Sequence, residues 1–449
     1  MNNIKIITLS LSFFQVAYRF YNNTLQTIFF NDKQNLQPKL QSIYLARIIK
    51  KQLSLGCFLL DLGNNQQALL KITKNSSTFH EGQKILVQVV KEPTTPNKHA
   101  VVTEDLNIAS PLLVYKPLAS GIIFAKNIPS SDYPKITTTL KLNDEGIVIR
   151  SSYKHNLLPN LQTSLQNLRE LYQSLQQCTK VGVAYQPHFL SRLISNNSKL
   201  IPNTIILDEI EDVSFCKNFL QQHDYLPTQL KIKDDNNAKY SPEVLLNYLQ
   251  ELIQPVFQIN KELSLNYFET EAFNYIDVNY KGSYNVIAKK EEALYKANLS
   301  VLESIAYNIM LKNLSGQILV DVLKITGKQY KHNLLKSLQK YFLIDDNKTT
   351  VLGFSNLGIM EIARQKVTDS LSIYNKTNFN YRVFQLFIQI INVANIAPTA
   401  SINIICTKAQ HHAILQLAST EITNLNSWLS KPVGFIINES SKIPILQIR

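Results

Sequence analysis

The segment from Glu269 to Lys324 constrains the fold most, because it reads as strand, long helix, strand, with an aspartate in each strand. It opens with Glu269-Thr270-Glu271-Ala272-Phe273-Asn274-Tyr275-Ile276-Asp277-Val278-Asn279. Asp277 and Asn279 interrupt an apolar run two positions apart, and in a strand such positions face the same side. A polar loop with Gly282 follows. From about Lys290, residues Leu294, Val301, Leu302, Ile305, Ile309 and Met310 recur at the spacing of a core-facing helix, which Asn313, Ser315 and Gly316 end. The next strand, Ile318-Leu319-Val320-Asp321-Val322, carries a single charge. Strand-helix-strand units normally pair their strands in parallel with a right-handed crossover, so Asp277 and Asp321 are expected side by side.

Two carboxylates so placed can hold a hard divalent cation through oxygen ligands at about 2.0–2.1 Å, leaving the other positions to water and substrate phosphate. Such an ion lowers the pKa of water and neutralises charge developing on a phosphodiester. Asn279 then orients a carboxylate or bonds the phosphate. The plainer alternative is that each aspartate caps a helix or makes an ion pair. Spacing alone leaves both open.

Taken together, Thr270-Glu271-Ala272, Ile276-Asp277-Val278-Asn279, Asn298-Leu299 and Ile318-Leu319-Val320-Asp321 resemble the catalytic region of the ribonuclease E/G family. Its pattern is roughly T-E-A-L-T-A-I-D-[IV]-N, a helix with T-N-L-E-A, then L-I-V-I-D-F. Further on, Gly358-Ile359-Met360-Glu361-Ile362-Ala363-Arg364-Gln365-Lys366 resembles the family's G-L-L-E-[MI]-[ST]-R-Q-[RK]. The resemblance implies that Asp277 and Asp321 hold Mg²⁺, or Mn²⁺, with Asn279 orienting the site. It implies a DNase I-like α/β catalytic subdomain over 251–371, in which Lys348 lies near a substrate-contacting basic position. The interval between the aspartates is slightly longer than the family's, which an insertion near Tyr284 absorbs. Lys324 stands where an acid often follows the second aspartate.

Basic and acidic residues number 46 and 33, a formal net charge of +13, which favours a polyanionic partner such as nucleic acid. The lysine, isoleucine and asparagine bias equally fits an AT-rich genome. Cys57, Cys178, Cys216 and Cys406 are scattered without paired spacing, which disfavours a disulfide framework or zinc site and suits a reducing, cytoplasmic setting. Ile4 to Val16 is apolar, but Val16-Ala17-Tyr18-Arg19 lacks a clean cleavage pattern, so the run reads as strand rather than signal peptide. No segment has the roughly 18 apolar residues of a membrane span.

Short strands at Ser42–Lys50, Leu55–Leu62, Gln67–Ile72, Lys84–Val90 and Ala100–Thr103 predict a small barrel over 38–110. It resembles an S1-type OB barrel, on whose basic groove an oligonucleotide lies. Leu59 and Leu69 stand where the family tends to carry stacking Phe residues, which implies a weaker grip. Lys98 matches a basic position and either contacts phosphate or is a solvated loop lysine.

Residues 111–195 read as a 5′-sensor region, with strands at Leu112–Tyr115 and Glu145–Arg150 and a helix from about Leu161 to Gln177. Gly146-Ile147-Val148-Ile149-Arg150-Ser151 resembles the family's G-L-I-V-R-T, whose Arg and Thr bind a 5′-monophosphate. Arg150 and Ser151 keep both chemistries, a guanidinium fork and a hydroxyl, although a strand-end Arg is otherwise a surface ion-pair former. The family's neighbouring loop, G-[IV]-S-R-[KR]-I, is altered here at Gly121 to Ile128.

By resemblance, 1–37 and 196–250 form one RNase H-like subdomain. Its acids Glu209, Glu211 and Asp212 read as solvated or capping residues. Residues 372–449 read as a small C-terminal α/β domain with a helix near Arg382–Val393, a strand at Ser401–Cys406, a helix over Lys408–Leu425, and strands at Val433–Ile437 and Pro444–Ile448. The family's C-P-x-C zinc link is missing, so no zinc is expected and any homo-oligomer forms without it. Adjacent His411 and His412 point to different faces and do not suggest a metal pair. The resulting expectation is a multi-subdomain α/β, Mg²⁺-dependent endoribonuclease. It cleaves single-stranded A/U-rich RNA, favours 5′-monophosphate ends, leaves 5′-phosphate products, and acts on rRNA precursors and mRNA. The alternative is an RNA-binding relative that has lost turnover.

Overall fold

The chain reverses direction where asparagines accept left-handed backbone. Asn22 and Asn23, at φ 48° and 66°, join strands Phe14–Tyr21 and Thr24–Asp32. Asn64 and Asn65, at 51° and 60°, join Cys57–Gly63 and Gln66–Lys71. Two successive positive-φ residues give a hairpin turn whose twist matches the flanking strands. The computed structural model describes residues 3–73, 78–93, 98–196, 202–222, 229–232, 241–270, 272–282 and 290–448. Glu271 and the expected insertion near Tyr284 lie outside them. Among these residues the strands form five sheets in a mixed α/β, multi-domain architecture.

The N-terminal meander Ile4–Leu11, Phe14–Tyr21, Thr24–Asp32 is extended in parallel by Thr204–Leu207 and then Gln229–Ile232. Both faces are apolar, so both are covered. One packs with residues from Leu245 to Leu252, with Tyr381, Phe384 and Phe387, and with Ile402 and Ile404. The other packs with Ile108, Leu113, Ile147, Leu165 and Leu220. Residues beyond 372 therefore share a core with the first strands, and the Phe14 and Phe384 rings lie 5.2 Å apart.

Ile43–Gln52, Cys57–Gly63, Gln66–Lys71, Ala100–Thr103 and Lys84–Lys91 close into a five-stranded barrel, because the first strand also pairs with the last. Its interior holds Phe58, Leu60, Leu70, Val87 and Val102. Leu55, expected to begin the second strand, ends a 3₁₀ turn instead, which Gly56 at φ 61° stops. A four-stranded sheet, Gly121–Phe124, Gly146–Ile149, Leu113–Lys116, Ile108–Ala109, lies beside helix Leu158–Gln176.

A six-stranded sheet runs Val256–Gln258, Leu263–Glu269, Asn274–Tyr280, Gly316–Asp321, Met360–Arg364, Thr349–Phe354. Helix Lys290–Leu311 crosses between the third and fourth strands, burying Val301, Leu302, Ile305 and Ile309 against one face. It ends as the sequence suggests: Asn313 is left-handed at φ 51°, Leu314 N–H donates to Ile309 O and Asn313 N–H to Met310 O, a Schellman closure. A second helix, Lys328–Tyr341, packs on the same face.

Two further expectations need correction. The span Lys408–Leu425 is two helices, Lys408–Leu417 and Ser419–Trp428, because Ala418, fully buried in the shared core, leaves helical geometry at φ −115° and ψ 29°. Neither Gly nor Pro marks the break. Among the acids read as solvated or capping, Asp212 is buried and accepts a hydrogen bond from Gln15 Nε2. That glutamine lies within a strand buried on both faces, so its amide requires an internal acceptor.

Candidate active site

In strand Asn274–Tyr280 the alternation buries Asn274, Ile276 and Val278 and leaves Tyr275, Asp277 and Asn279 on the opposite face. The parallel neighbour Gly316–Asp321 pairs Ile276 with Val320 and Asp277 with Asp321. The two aspartates are thus direct lateral neighbours on one half-exposed face, at the carboxyl ends of their strand pairing. Helix Lys290–Leu311 fills the other face, which sets which side each side chain takes.

Each carboxylate has its own donor. Asn279 Nδ2 donates to Asp277 Oδ2 at 2.9 Å, and the Tyr275 hydroxyl donates to Asp321 Oδ2 at 2.9 Å. Burial, the hydrogen bond to Asp321 and the charges of Asp321 and Asp277 push the Tyr275 hydroxyl up to about 12, so it stays a donor at neutral pH. Beneath the pair, fully buried Asn298 donates to Leu323 O at 2.7 Å and accepts from Leu323 N–H at 2.9 Å. This fastens the crossover helix to the chain just beyond Asp321. At the start of that helix, Glu291 accepts from Thr326 N–H and Gly327 N–H at 2.6 and 2.8 Å, fixing the same loop from its other end. Lys324, between these anchors, is exposed.

The donor set suits a hard divalent ion: two carboxylates, with an amide and a phenol holding one oxygen of each. Among the described residues no three His, Cys, Asp or Glu side chains converge as a metal site. A cation here would therefore draw its remaining ligands from water and substrate, the usual arrangement for Mg²⁺. His411 instead lies against Phe435, ring centroids 4.4 Å apart, and His412 contacts Gln416.

The other candidates are dispersed. Arg150 directly follows strand Gly146–Ile149 and is half-buried, and its Nη1 donates to Ser110 O at 2.9 Å. Burial pulls the guanidinium down to about 10, which leaves it charged at neutral pH. Ser151 follows it, its carbonyl accepting from Asn127 Nδ2 at 2.9 Å, so the altered loop closes directly over this corner. Lys98 is exposed just before the barrel strand Ala100–Thr103. On the barrel's outer face Leu59 and Leu69 are cross-strand partners. Lys348 is exposed, and its carbonyl accepts from Gln365 N–H, one residue beyond the Gly316–Arg364 pair. That is the far end of the sheet from Asp321, roughly 20 Å away at about 3.3 Å per residue.

The sequence reading assigned no role to Tyr275 or Asn298. The same alternation that placed Asp277 and Asn279 together also places Tyr275 with them. Nothing local signals the Asn298 contact, because its partner lies 25 residues away.

The Ribonuclease E/G family model matches residues 107–367. A ribonuclease E/G-like protein of Porphyra purpurea is 26% identical over 409 residues, covering 82% of this chain and 76% of that protein. Ribonuclease G of Haemophilus influenzae is 26% identical over 322 residues, covering 68% and 64%. A ribonuclease E/G-like protein of Pyropia yezoensis is 27% identical over 327 residues, covering 67% and 62%. Against the last two, the chain spans less than two thirds of the relative's length.

Proposed function

Because the chain belongs to the ribonuclease E/G family, we propose that it is an endoribonuclease whose reaction takes place at Asp277 and Asp321. The observation that carries this reading is the in-register aspartate pair, each carboxylate held by a separate donor. Asp277 and Asp321 would hold Mg²⁺ or Mn²⁺, which when bound lowers the pKa of water and neutralises charge on the phosphodiester. Asn279 and Tyr275 keep the carboxylates from turning, and Asn298 and Glu291 keep the following loop from moving the second strand.

In this reading the six-stranded sheet and its helices are the DNase I-like catalytic subdomain, and the split N-terminal sheet is the RNase H-like one. The closed barrel acts as the S1-type clamp for single-stranded, A/U-rich RNA, with Lys98 on phosphate and the Leu59–Leu69 pair giving a weaker apolar hold than aromatic rings would. Arg150 and Ser151 receive a 5′-monophosphate, and Lys348, far along the sheet, contacts RNA away from the cut. Products carry 5′-phosphates, and the natural substrates are rRNA precursors and mRNA in the cytoplasm. The four cysteines are free, which fits a reducing setting. No described helix is long and apolar enough to cross a membrane.

The test is cleavage of a short 5′-monophosphorylated A/U-rich RNA in Mg²⁺ by the native protein, Asp277→Asn and Asp321→Asn. Cleavage by the native chain alone supports the reading, and a 5′-triphosphate substrate then tests the end preference. Intact RNA bound equally by all three proteins would replace it with the RNA-binding alternative.

A further inference from the structure

The sheet face that carries the aspartates also carries an aromatic pair, of which only the Tyr275 hydroxyl is engaged with a carboxylate. Phe268 and Tyr275 are direct cross-strand partners, with ring centroids 6.0 Å apart and planes inclined at 42°. Phe268 is 52% exposed, whereas the hydrophobic core lies on the opposite face of the sheet. Tyr275 is tethered through its hydroxyl to Asp321, so its ring cannot swing away without breaking that bond. A ring already fixed in place loses little freedom when a ligand covers it.

Position makes the pair informative. Tyr275 precedes Asp277 by two residues on the same face, roughly 7 Å at about 3.3 Å per residue. That is about one nucleotide step of an extended strand. A phosphodiester at the carboxylates therefore brings a neighbouring base over these rings.

We propose that Phe268 and Tyr275 form a base-stacking site for the nucleotide adjoining the cleaved phosphate of single-stranded RNA. The proposal rests on reading Asp277 and Asp321 as the site that processes the phosphate. Two ring faces read no hydrogen-bond pattern, so the site accepts any base and favours purines through their larger area.

The experiment measures equilibrium binding in EDTA, where no cleavage occurs. A single abasic nucleotide is moved stepwise along a short RNA, and each RNA is titrated with native protein, Phe268→Leu and Phe268→Trp. The expected result is one position at which base removal weakens native binding about five-fold or more. That penalty should vanish in Phe268→Leu and grow in Phe268→Trp, the behaviour of two groups in contact. If Phe268→Leu does not fold, Phe268→Trp decides. No such position, or a penalty unchanged in the folded variants, overturns the proposal. A cleavage map in Mg²⁺ is read separately. If the sensitive position lies more than one nucleotide from the cut, the placement is wrong. If stacking appears without any cleavage, the endoribonuclease reading fails while the base site stands.

Discussion

A phenol that donates to one carboxylate oxygen can be removed without disturbing the strand that carries it. Tyr275→Phe keeps the ring and frees Asp321, so the Mg²⁺ concentration for half-maximal cleavage is expected to rise about tenfold, in line with the loss of other outer ligand partners. An unchanged Mg²⁺ requirement would show that the hydroxyl does not steady Asp321. Lys312 offers a titration test. It is buried, donates to Leu252 O and Gln254 O, and lies 4.7 Å from the centre of the Tyr267 ring. Burial lowers its ammonium from 10.5 to about 8. Between those values the unfolded chain binds more proton than the folded one, so this group's contribution to stability rises with pH from about 8 towards 10.5. Unfolding free energy of the native protein should therefore gain on that of Lys312→Met across this window, measured by denaturant titration. A parallel pH dependence in the two proteins would refute the assignment. At this scale the sequence was legible where a rule is local. Alternation places Asp277, Asn279 and Tyr275 on one face, whereas Asn298 and Lys312 work through backbone carbonyls of distant segments that no local pattern announces.

At the scale of elements, helix and strand periods located the crossover unit, and Asn313 was correctly read as its stop. Its side chain carries more than the stop requires. Besides its left-handed backbone, Asn313 donates to Thr368 Oγ1 and Asp369 O, both at 2.9 Å, and accepts from Arg364 Nη1 at 2.8 Å. Arg364 is itself paired with Asp345, their side chains 3% and 2% exposed. Glycine normally suits a left-handed helix end. Here, however, Asn313→Gly is expected to destabilise by about 1–3 kcal/mol, because it leaves part of a buried guanidinium unsatisfied. A neutral or higher thermal midpoint would show that backbone conformation outweighs those bonds. The break at Ala418 was not legible, since apolar spacing continues through it and core packing rather than a breaker residue sets it.

Over the whole molecule, what holds the sheets to one another was least legible, because it depends on pairs far apart in sequence. Arg19, 1% exposed, reaches from the N-terminal sheet to Asp346 at 2.5 Å, beside the six-stranded sheet, and also donates to Thr27 Oγ1. Asp346→Ala would strand that charge and cost about 3 kcal/mol, whereas Arg19→Met with Asp346→Leu should recover most of it. Equal denaturant midpoints for the single and double variants would count against this. The core shared by the first strands and the residues beyond 372 also has a consequence during synthesis. Strand Phe14–Tyr21 leaves the ribosome early, yet its partners Tyr381, Phe384 and Phe387 follow only after some 360 more residues, tens of seconds later at about 5–20 residues per second. Through that interval the aromatic sheet face is covered at most in part, by residues Leu245 to Leu252 once they emerge, and late translation completes the cover. Premature termination before Phe379 should therefore yield an aggregation-prone chain dependent on chaperones, not a smaller working enzyme.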